Sequence, residues 1–275
     1  MNSICLVPVG GLANRFRAIA STAVIAAEAG SRLEVFWFLD WALHAPFNAF
    51  FEPICEDGVT MHEASFLQQW LMDRPRQKNL YLPRLFQRFQ FKTCIYENQI
   101  ATLREQSGYF VQKAKQGNLY IASFNPLTPY PSSLLRKLFR PLPSIQQEIA
   151  LRCHDLVGYC IGVHVRRTDH VTSIANSPDE LFFEAIDRER ALHGEVTIYL
   201  ATDSEMVKQS FKQRYGNSVH YSSAKVDRNS VPGIREAIVE MMVLSKMQKI
   251  YGSFGSSFSE LAAQFGDIPL IVLKK

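Results

Sequence analysis

Apolar and polar positions alternate in a regular order along the second half of the chain. An apolar run rich in β-branched residues begins at Tyr159 and predicts a buried strand, bounded upstream by Gly158. Helical and extended patterns then follow in turn: helix 177–193, strand 195–201, helix 204–215, strand 218–221, helix 233–247, strand 249–251, helix 257–265 and strand 269–273. Helix 177–193 is expected to begin with Ser177 as N-cap and Pro178 in its first turn. This alternation predicts a Rossmann-like domain with a parallel sheet.

The start of the chain shows the same pattern. A strand at Ser3–Val9 leads through Gly10 and Gly11 into an Ala-rich helix that Gly30 ends, and a strand follows at 32–38. The pattern is weaker between residues 40 and 130, where we expect strands at 59–62 and 118–124 and a helix at 65–72. The stretch 125–131, with Pro141 and Pro143 after it, is the best candidate linker. We therefore predict an α/β fold with two Rossmann-like domains, 1–143 and 144–275.

Composition and charge limit the function classes. The chain has 275 residues, 47% of them hydrophobic, and a net charge of +4, which suits an anionic small ligand better than nucleic acid. Basic residues between Arg74 and Lys92 alternate with aromatic ones, and this pattern favours a solvated helix face with an apolar underside over a binding patch. Five cysteines without a CxxC pair indicate neither a disulfide framework nor a zinc site. With no signal-peptide pattern and no membrane-length apolar run, we expect a soluble, cytoplasmic protein, with peripheral association at the inner face of a membrane as a further option.

Charged residues follow the strand that begins at Tyr159. His164, Arg166 and Thr168 would share one side of an extended segment, with Arg167 and Asp169 on the other. Such groups are costly at the edge of an apolar core, and the carboxyl ends of parallel strands are where α/β proteins bind ligands. The pattern therefore indicates a ligand site.

Three further loops carry candidate chemistry. Gly10-Gly11 lies before Asn14 and Arg15 at a helix start, where anions bind favourably. Asp203-Ser204-Glu205 also opens a helix, and capping and ligand binding are equally good interpretations of Asp203 or Ser204; a metal pair is less favoured. The glycine- and serine-rich loop 251–260 offers backbone N–H groups and hydroxyls to a phosphate, although its serines could simply cap the helix. It lacks the lysine of a P-loop.

Together, Gly-Gly-Leu-Ala-Asn14-Arg15, His164-Val-Arg166-Arg167-Thr-Asp169 and Gly255-Ser256-Ser257-Phe258-Ser259 resemble the fucosyltransferase superfamily with the HxRRxD motif. This group contains α1,2-, α1,6- and protein O-fucosyltransferases and nodulation fucosyltransferases. The resemblance covers about half of the chain and leaves residues 40–140 unmatched. It implies a GT-B fold with two sheets facing across a cleft, an acceptor-side N-terminal domain and a nucleotide-sugar-binding C-terminal domain. It also implies an inverting, metal-independent enzyme that needs no cofactor beyond its donor substrate, GDP-fucose, and acts on a glycan or glycoconjugate acceptor.

The resemblance also implies roles for individual residues. Arg166 would hold the donor β-phosphate, and Asn14 would face the reacting centre, although Ala13 replaces the second glycine usual in that loop. Asp169 matches the acid of the motif; because it follows two arginines it should be strongly ionised, which favours a positioning role over that of a base. The catalytic candidates are Arg166, Asn14 and Asp169. The donor-binding candidates are His164, Arg166, Arg167, Asp203, Ser256, Ser257, Phe258 and Gly11.

Two alternatives stay open. The chain could be a GT-B glycosyltransferase that uses another nucleotide sugar, or a non-catalytic module that binds a nucleotide sugar. An NAD-dependent oxidoreductase is disfavoured because neither glycine loop has the dinucleotide fingerprint. The sequence predicts neither the acceptor, the linkage, the general base nor the oligomeric state.

Overall fold

Two parallel five-stranded sheets form the framework of the chain in a computed structural model that describes residues 1–168, 171–224, 227 and 229–275. One compact unit consists of Met1–Leu142 with a short segment that ends at Val231, and the other of Pro143–Asp227 and Pro232–Lys275. Helices connect the strands in both units. The predicted α/β class, with a parallel sheet in each half of the chain, is confirmed.

The first unit has the strand order β3-β2-β1-β5-β4. Its strands are β1 Ser3–Pro8, β2 Arg32–Trp37, β3 Val59–Glu63, β4 Thr93–Ile95 and β5 Leu119–Ser123. Its helices are α1 Leu12–Ala29, α2 Phe66–Met72, α3 Pro83–Gln90, α4 Glu97–Arg104, α5 Tyr109–Gln116 and α6 Ser132–Leu138. Strand β1 lies at the centre and is almost entirely buried, which explains its unbroken apolar sequence.

The second unit has the strand order β10-β9-β6-β7-β8. Its strands are β6 Tyr159–Val165, β7 Val196–Thr202, β8 Val219–His220, β9 Ile250–Ser253 and β10 Leu270–Leu273. Its helices are α7 Pro143–His154, α8 Val171–Asn176, α9 Asp179–His193, α10 Glu205–Tyr215, α11 Val231–Leu244 and α12 Ser257–Gly266. The central strand β6 brings its carboxyl end between those of β7 and β9.

A close approach between β9 and α12 fixes the start of that helix. A Cβ added to Gly252 would lie 2.6 Å from Ser259 Oγ and 2.9 Å from Ser259 Cβ, so only glycine allows this contact. The turn between strand and helix contains Gly255 with φ +70°, a left-handed conformation that glycine adopts without strain. The glycine spacing of this loop therefore positions the first turn of α12 beside the sheet.

Some local predictions need correction. Pro178, not Ser177, is the N-cap of α9, because the buried Ser177 hydroxyl instead donates to Leu273 O at 2.6 Å. Of the candidate linker, the stretch 125–131 lies within the first unit, where Leu127 is buried, whereas the units divide between Leu142 and Pro143, beside the prolines that the prediction included. The predictions missed several short elements, α3, β4, α4, α5, α6 and α8. Among the described residues, none of the helices is long and apolar enough to span a membrane.

Candidate functional site

Asp203, at the carboxyl end of β7, organises the segment that follows β6. Its carboxylate accepts hydrogen bonds from Arg167 N at 2.8 Å, Thr168 N at 3.2 Å and Thr168 Oγ1 at 2.7 Å. It also pairs with Arg166 NH1 at 3.1 Å. Burial opposes ionisation of Asp203, but the Thr168 hydroxyl, the Arg166 charge and the two backbone N–H groups outweigh burial and lower its pKa. An ionised Asp203 therefore holds Arg166 at the sheet edge.

Arg167 points to a different set of partners. Its guanidinium pairs with Asp179 at the start of α9 and donates to Ser177 O at 2.8 Å and to Arg166 O at 2.9 Å. Each of its three side-chain nitrogens therefore has a partner within the second unit. Its position fits a side chain that supports the loop carrying Arg166, and Asp179 provides the counter-charge.

His164 is buried in β6, with 6% of its surface exposed. Its Nδ1 shares a hydrogen bond with Ser256 Oγ at 3.3 Å, and its ring contacts that of Phe258 with centroids 4.9 Å apart. Burial and, second, the charge of Arg166 lower its pKa to about 4. His164 is therefore neutral near pH 7 and can offer one donor and one acceptor nitrogen.

The glycine- and serine-rich loop is held by hydrogen bonds on both sides. Ser253 Oγ accepts from Arg166 N at 3.0 Å and donates to His164 O at 3.3 Å. Phe254 is held through its backbone, which donates to Ser177 Oγ at 2.8 Å and accepts from Ser173 Oγ at 2.6 Å. Ser256 occupies the N-cap position of α12, but its side chain makes no capping hydrogen bond and contacts His164 instead. Capping alone therefore does not account for this serine.

This arrangement has the chemistry of an anion site. The first-turn amides of a helix lack intrahelical acceptors and carry the positive end of the helix dipole. In α12 those amides belong to the turn that begins with Ser257 and Phe258, next to the loop tied to Arg166. Arg166 is tied to that loop through its backbone, and its guanidinium pairs with Asp203 after β7. A guanidinium and a free helix turn each supply the charge or hydrogen bonds that suit a phosphate.

The glycine loop of the first unit is built around Arg15. This fully buried side chain donates to Gly10 O at 2.8 Å and Phe38 O at 2.6 Å and pairs with Asp40 at 2.9 Å. Arg15 is thus a structural residue that ties the loop to the end of β2. Asn14 lies half-buried in the first turn of α1. A Cβ on Gly11 would meet no atom within 4 Å, and its φ of −71° is ordinary, so the fold itself does not demand glycine there.

Most of the predicted donor-binding residues lie together in the second unit. His164, Arg166, Arg167, Asp203 and Ser256 are joined by direct or shared contacts, and Phe258 packs against His164. Asp169 lies outside the described residues. Ser204, not Asp203, is the N-cap of α10, and Glu205 pairs with Lys208 at 2.6 Å, so the two carboxylates serve different partners. Within the described ranges, no three His, Cys, Asp or Glu side chains are grouped to hold a metal ion.

Sequence reasoning singled out Thr168 and the loop that contains Ser253, but it did not predict the contacts of four residues that build this site. Ser253 and Ser173 hold the glycine- and serine-rich loop, Thr168 holds Asp203, and Asp179 holds Arg167. The Ser-Pro-Asp sequence at 177–179 correctly predicted a helix start. Because a helix start already accounted for Ser177 and Asp179, their contacts with residues distant in sequence were not predicted. Contacts between residues distant in sequence leave no periodic signal.

Comparison with known proteins identifies the fold. No protein-family model matches the chain, and no curated protein matches its sequence. Among solved structures, NodZ α-1,6-fucosyltransferase soaked with GDP-fucose is similar with a TM-score of 0.67 and 18% identity, over 96% of this chain and 92% of that one. A variant of Arabidopsis thaliana FUT1 in complex with GDP is similar with a TM-score of 0.69 and 12% identity, over 98% of this chain and 70% of that one. Apo POFUT1 is similar with a TM-score of 0.59 and 11% identity, over 99% of this chain and 97% of that one.

The similarity extends across nearly the whole chain, including residues 40–140 that no sequence motif covered. At these identities it establishes a shared fold. The expectation of an α/β fold shared with fucosyltransferase structures is confirmed at that level.

Proposed function

We propose that this chain is a glycosyltransferase that transfers fucose from GDP-fucose to a glycan or glycoconjugate acceptor. The observation that carries the proposal is the cluster of Arg166, Asp203 and the first turn of α12 at the carboxyl end of β6. That cluster lies in a chain with the fold of fucosyltransferases solved with GDP-fucose or GDP. A diphosphate is the ligand that its charges suit best.

In the proposed reaction, an acceptor hydroxyl oxygen forms a bond to C1 of the fucose while the bond from C1 to the β-phosphate oxygen breaks. The departing GDP takes the electron pair, and the hydroxyl proton passes to a base that is not yet assigned. Attack from the side opposite the phosphate inverts C1. Arg166 and the amides of α12 stabilise the negative charge that grows on the diphosphate, because fixed donors need no reorganisation during the reaction.

The proposal includes metal independence. Arg166 supplies a permanent cation, and Asp203 orients that cation by a contact to NH1. Neutral His164 offers a hydrogen bond to the nucleotide without adding charge, and Ser257 and Phe258 present backbone N–H groups. We assign Gly11 and Asn14, on the evidence of the motif resemblance, to contacts with the transferred sugar.

All five cysteines are free, which supports a reducing compartment such as the cytoplasm.

Calorimetric titration with GDP, UDP and NAD tests the ligand class. We expect saturable binding of GDP, weaker binding of UDP and none of NAD, with the same affinity in EDTA. Preference for UDP would favour another nucleotide-sugar donor, and the absence of GDP binding would contradict the proposal. GDP binding without hydrolysis of GDP-fucose or transfer to any acceptor would indicate a nucleotide-sugar-binding module.

A further inference from the structure

Two adjacent short helices of the first unit expose large apolar side chains. In α2, Met72 packs into the core, whereas Phe66 is 88% exposed and Leu67 and Trp70 are also exposed. In α3, Phe89 is 92% exposed and Leu85 60% exposed. The sequence pattern predicted an apolar underside for this basic and aromatic stretch. The structure shows the reverse for Phe89, which faces solvent.

The two helices are fixed to each other and to the sheet by their other faces. Gln87, buried in α3, donates to Leu71 O at 3.3 Å and Asp73 O at 2.8 Å at the end of α2, and accepts from Tyr96 OH at 2.9 Å. Phe86 packs on the cluster that contains Met72. The buried faces of both helices already pack on the core and make these hydrogen bonds. The apolar side chains on their exposed faces therefore have no place in this core.

A basic cavity adjoins the exposed face of α3. Its volume is about 590 Å³, and Arg84 and Arg88, one turn apart on α3, line it together with Arg74, Lys92 and two tyrosines, Tyr81 and Tyr96. Glu97 is the carboxylate in its lining, and it pairs with Arg74 at 2.6 Å. The cavity therefore keeps an excess of positive charge beside an apolar surface.

The geometry of α3 places these two properties next to each other. At 100° per residue, Leu82, Leu85 and Phe89 lie on one side of the helix, and Arg84 and Arg88 lie on the neighbouring side. A helix with an exposed apolar face beside basic residues is typical of segments that lie in a membrane interface. Segment 65–92 as a whole has six basic residues and one acidic residue, Asp73, which pairs with Arg76.

We propose that the α2–α3 surface, formed by Phe66, Leu67, Trp70, Leu82, Leu85 and Phe89 with Arg84 and Arg88, docks onto an anionic phospholipid membrane. The apolar side chains enter the boundary between headgroups and acyl chains, and the cavity arginines bind lipid phosphate. Apolar burial and attraction to anionic lipid together provide the two contributions that stable peripheral attachment requires. This proposal does not depend on the enzymatic activity.

Vesicle co-sedimentation tests the proposal. The full chain should bind vesicles of phosphatidylcholine and phosphatidylglycerol in equal parts, bind pure phosphatidylcholine far less, and dissociate as salt rises. The double variant Arg84→Gln/Arg88→Gln should weaken binding about 30-fold, because each cation near an anionic surface contributes about fivefold. Leu85→Ser/Phe89→Ser should weaken it about tenfold or more, because less apolar area is buried.

The control is Leu192→Ser, the same kind of change at a leucine 76% exposed in the second unit, and it should bind like the unchanged chain. Circular dichroism and GDP titration show whether each variant keeps its fold and its nucleotide site. The proposal is overturned if the chain binds both kinds of vesicle equally. It is also overturned if both α2–α3 double variants bind anionic vesicles as well as the unchanged chain does. A dimer in light scattering that Leu85→Ser/Phe89→Ser dissociates, without vesicle binding, would show that a second copy covers this surface instead.

Discussion

Arg166 is held in place from both sides, with its backbone N–H on Ser253 and its guanidinium on Asp203. We expect Arg166→Lys to fold and to lower turnover about 10²-fold or more, because an ammonium cannot make the forked contact to the departing diphosphate that we propose for Arg166. Steady-state kinetics with GDP-fucose measure the effect, and GDP titration separates binding from turnover. Unchanged turnover in this variant would remove Arg166 from the mechanism.

Glu240 provides a separate test at the level of one residue. Burial and, second, the charge of Glu236 raise its pKa to about 8, so the folded chain keeps a proton that the unfolded chain releases above its ordinary pKa. The stability that protonated Glu240 provides is therefore complete below its ordinary pKa of 4.5 and is lost as pH rises from there to about 8. Glu240→Gln should increase the free energy of unfolding by about 2 kcal/mol at pH 7 and by almost nothing at pH 4.5.

Denaturant unfolding at several pH values measures this difference. The neighbouring Glu236 is the matched control, because it pairs with Arg152 at 2.5 Å and its pKa is lowered: against the cost of burial, the Arg152 hydrogen bond stabilises its charge. Glu236→Gln should destabilise the chain at pH 7. A gain for Glu240→Gln that does not change with pH would show that its protonation is not the cause.

At the scale of elements, the contact between β9 and α12 should couple stability to nucleotide binding. Gly252→Ala places a Cβ against Ser259, so we expect a loss of about 1–3 kcal/mol in the free energy of unfolding and a displaced α12. GDP affinity should fall with it, because the first-turn amides move. Thermal unfolding and calorimetry measure the two effects.

Gly158→Ala is the control for this element. Gly158 has φ +75° but no atom within 4 Å of an added Cβ, and it precedes β6 at the end opposite His164. It should lose stability without losing GDP affinity. If both variants lose affinity equally, general destabilisation and not the position of α12 explains the result.

The elements also show what the sequence could predict. The strands and longer helices of the second unit were found because apolar periodicity is clear over 11–15 residues, as in α9 and α10. Helices α2 and α3 have 7 and 8 residues, and exposed side chains such as Phe66 and Phe89 imitate core positions. For such segments apolar patterning does not report burial. Asp179 and Ser253 were missed because their roles arise from contacts far along the chain.

For the whole molecule, motifs covered about half of the chain, whereas the fold matches NodZ over 96% of it at 18% identity. The motif residues lie in the loops and helix starts that follow β1, β6 and β9. The packing residues between them can change while keeping volume and periodicity. This is why motifs could mark Arg166 and Ser256 as candidates while no family model matched the rest of the chain.

The most direct measurement of the central claim is transfer from GDP-fucose to a glycan array in the presence of EDTA. We expect fucose to appear on a subset of glycans at a rate that EDTA does not change, and about 10² -fold less in Arg166→Lys. The Leu192→Ser variant should transfer like the unchanged chain, since that exposed side chain lies near the carboxyl end of α9, whereas Asp179 lies at its start. Transfer that stops in EDTA would contradict metal independence, and transfer of another sugar but not of fucose would contradict the proposed donor.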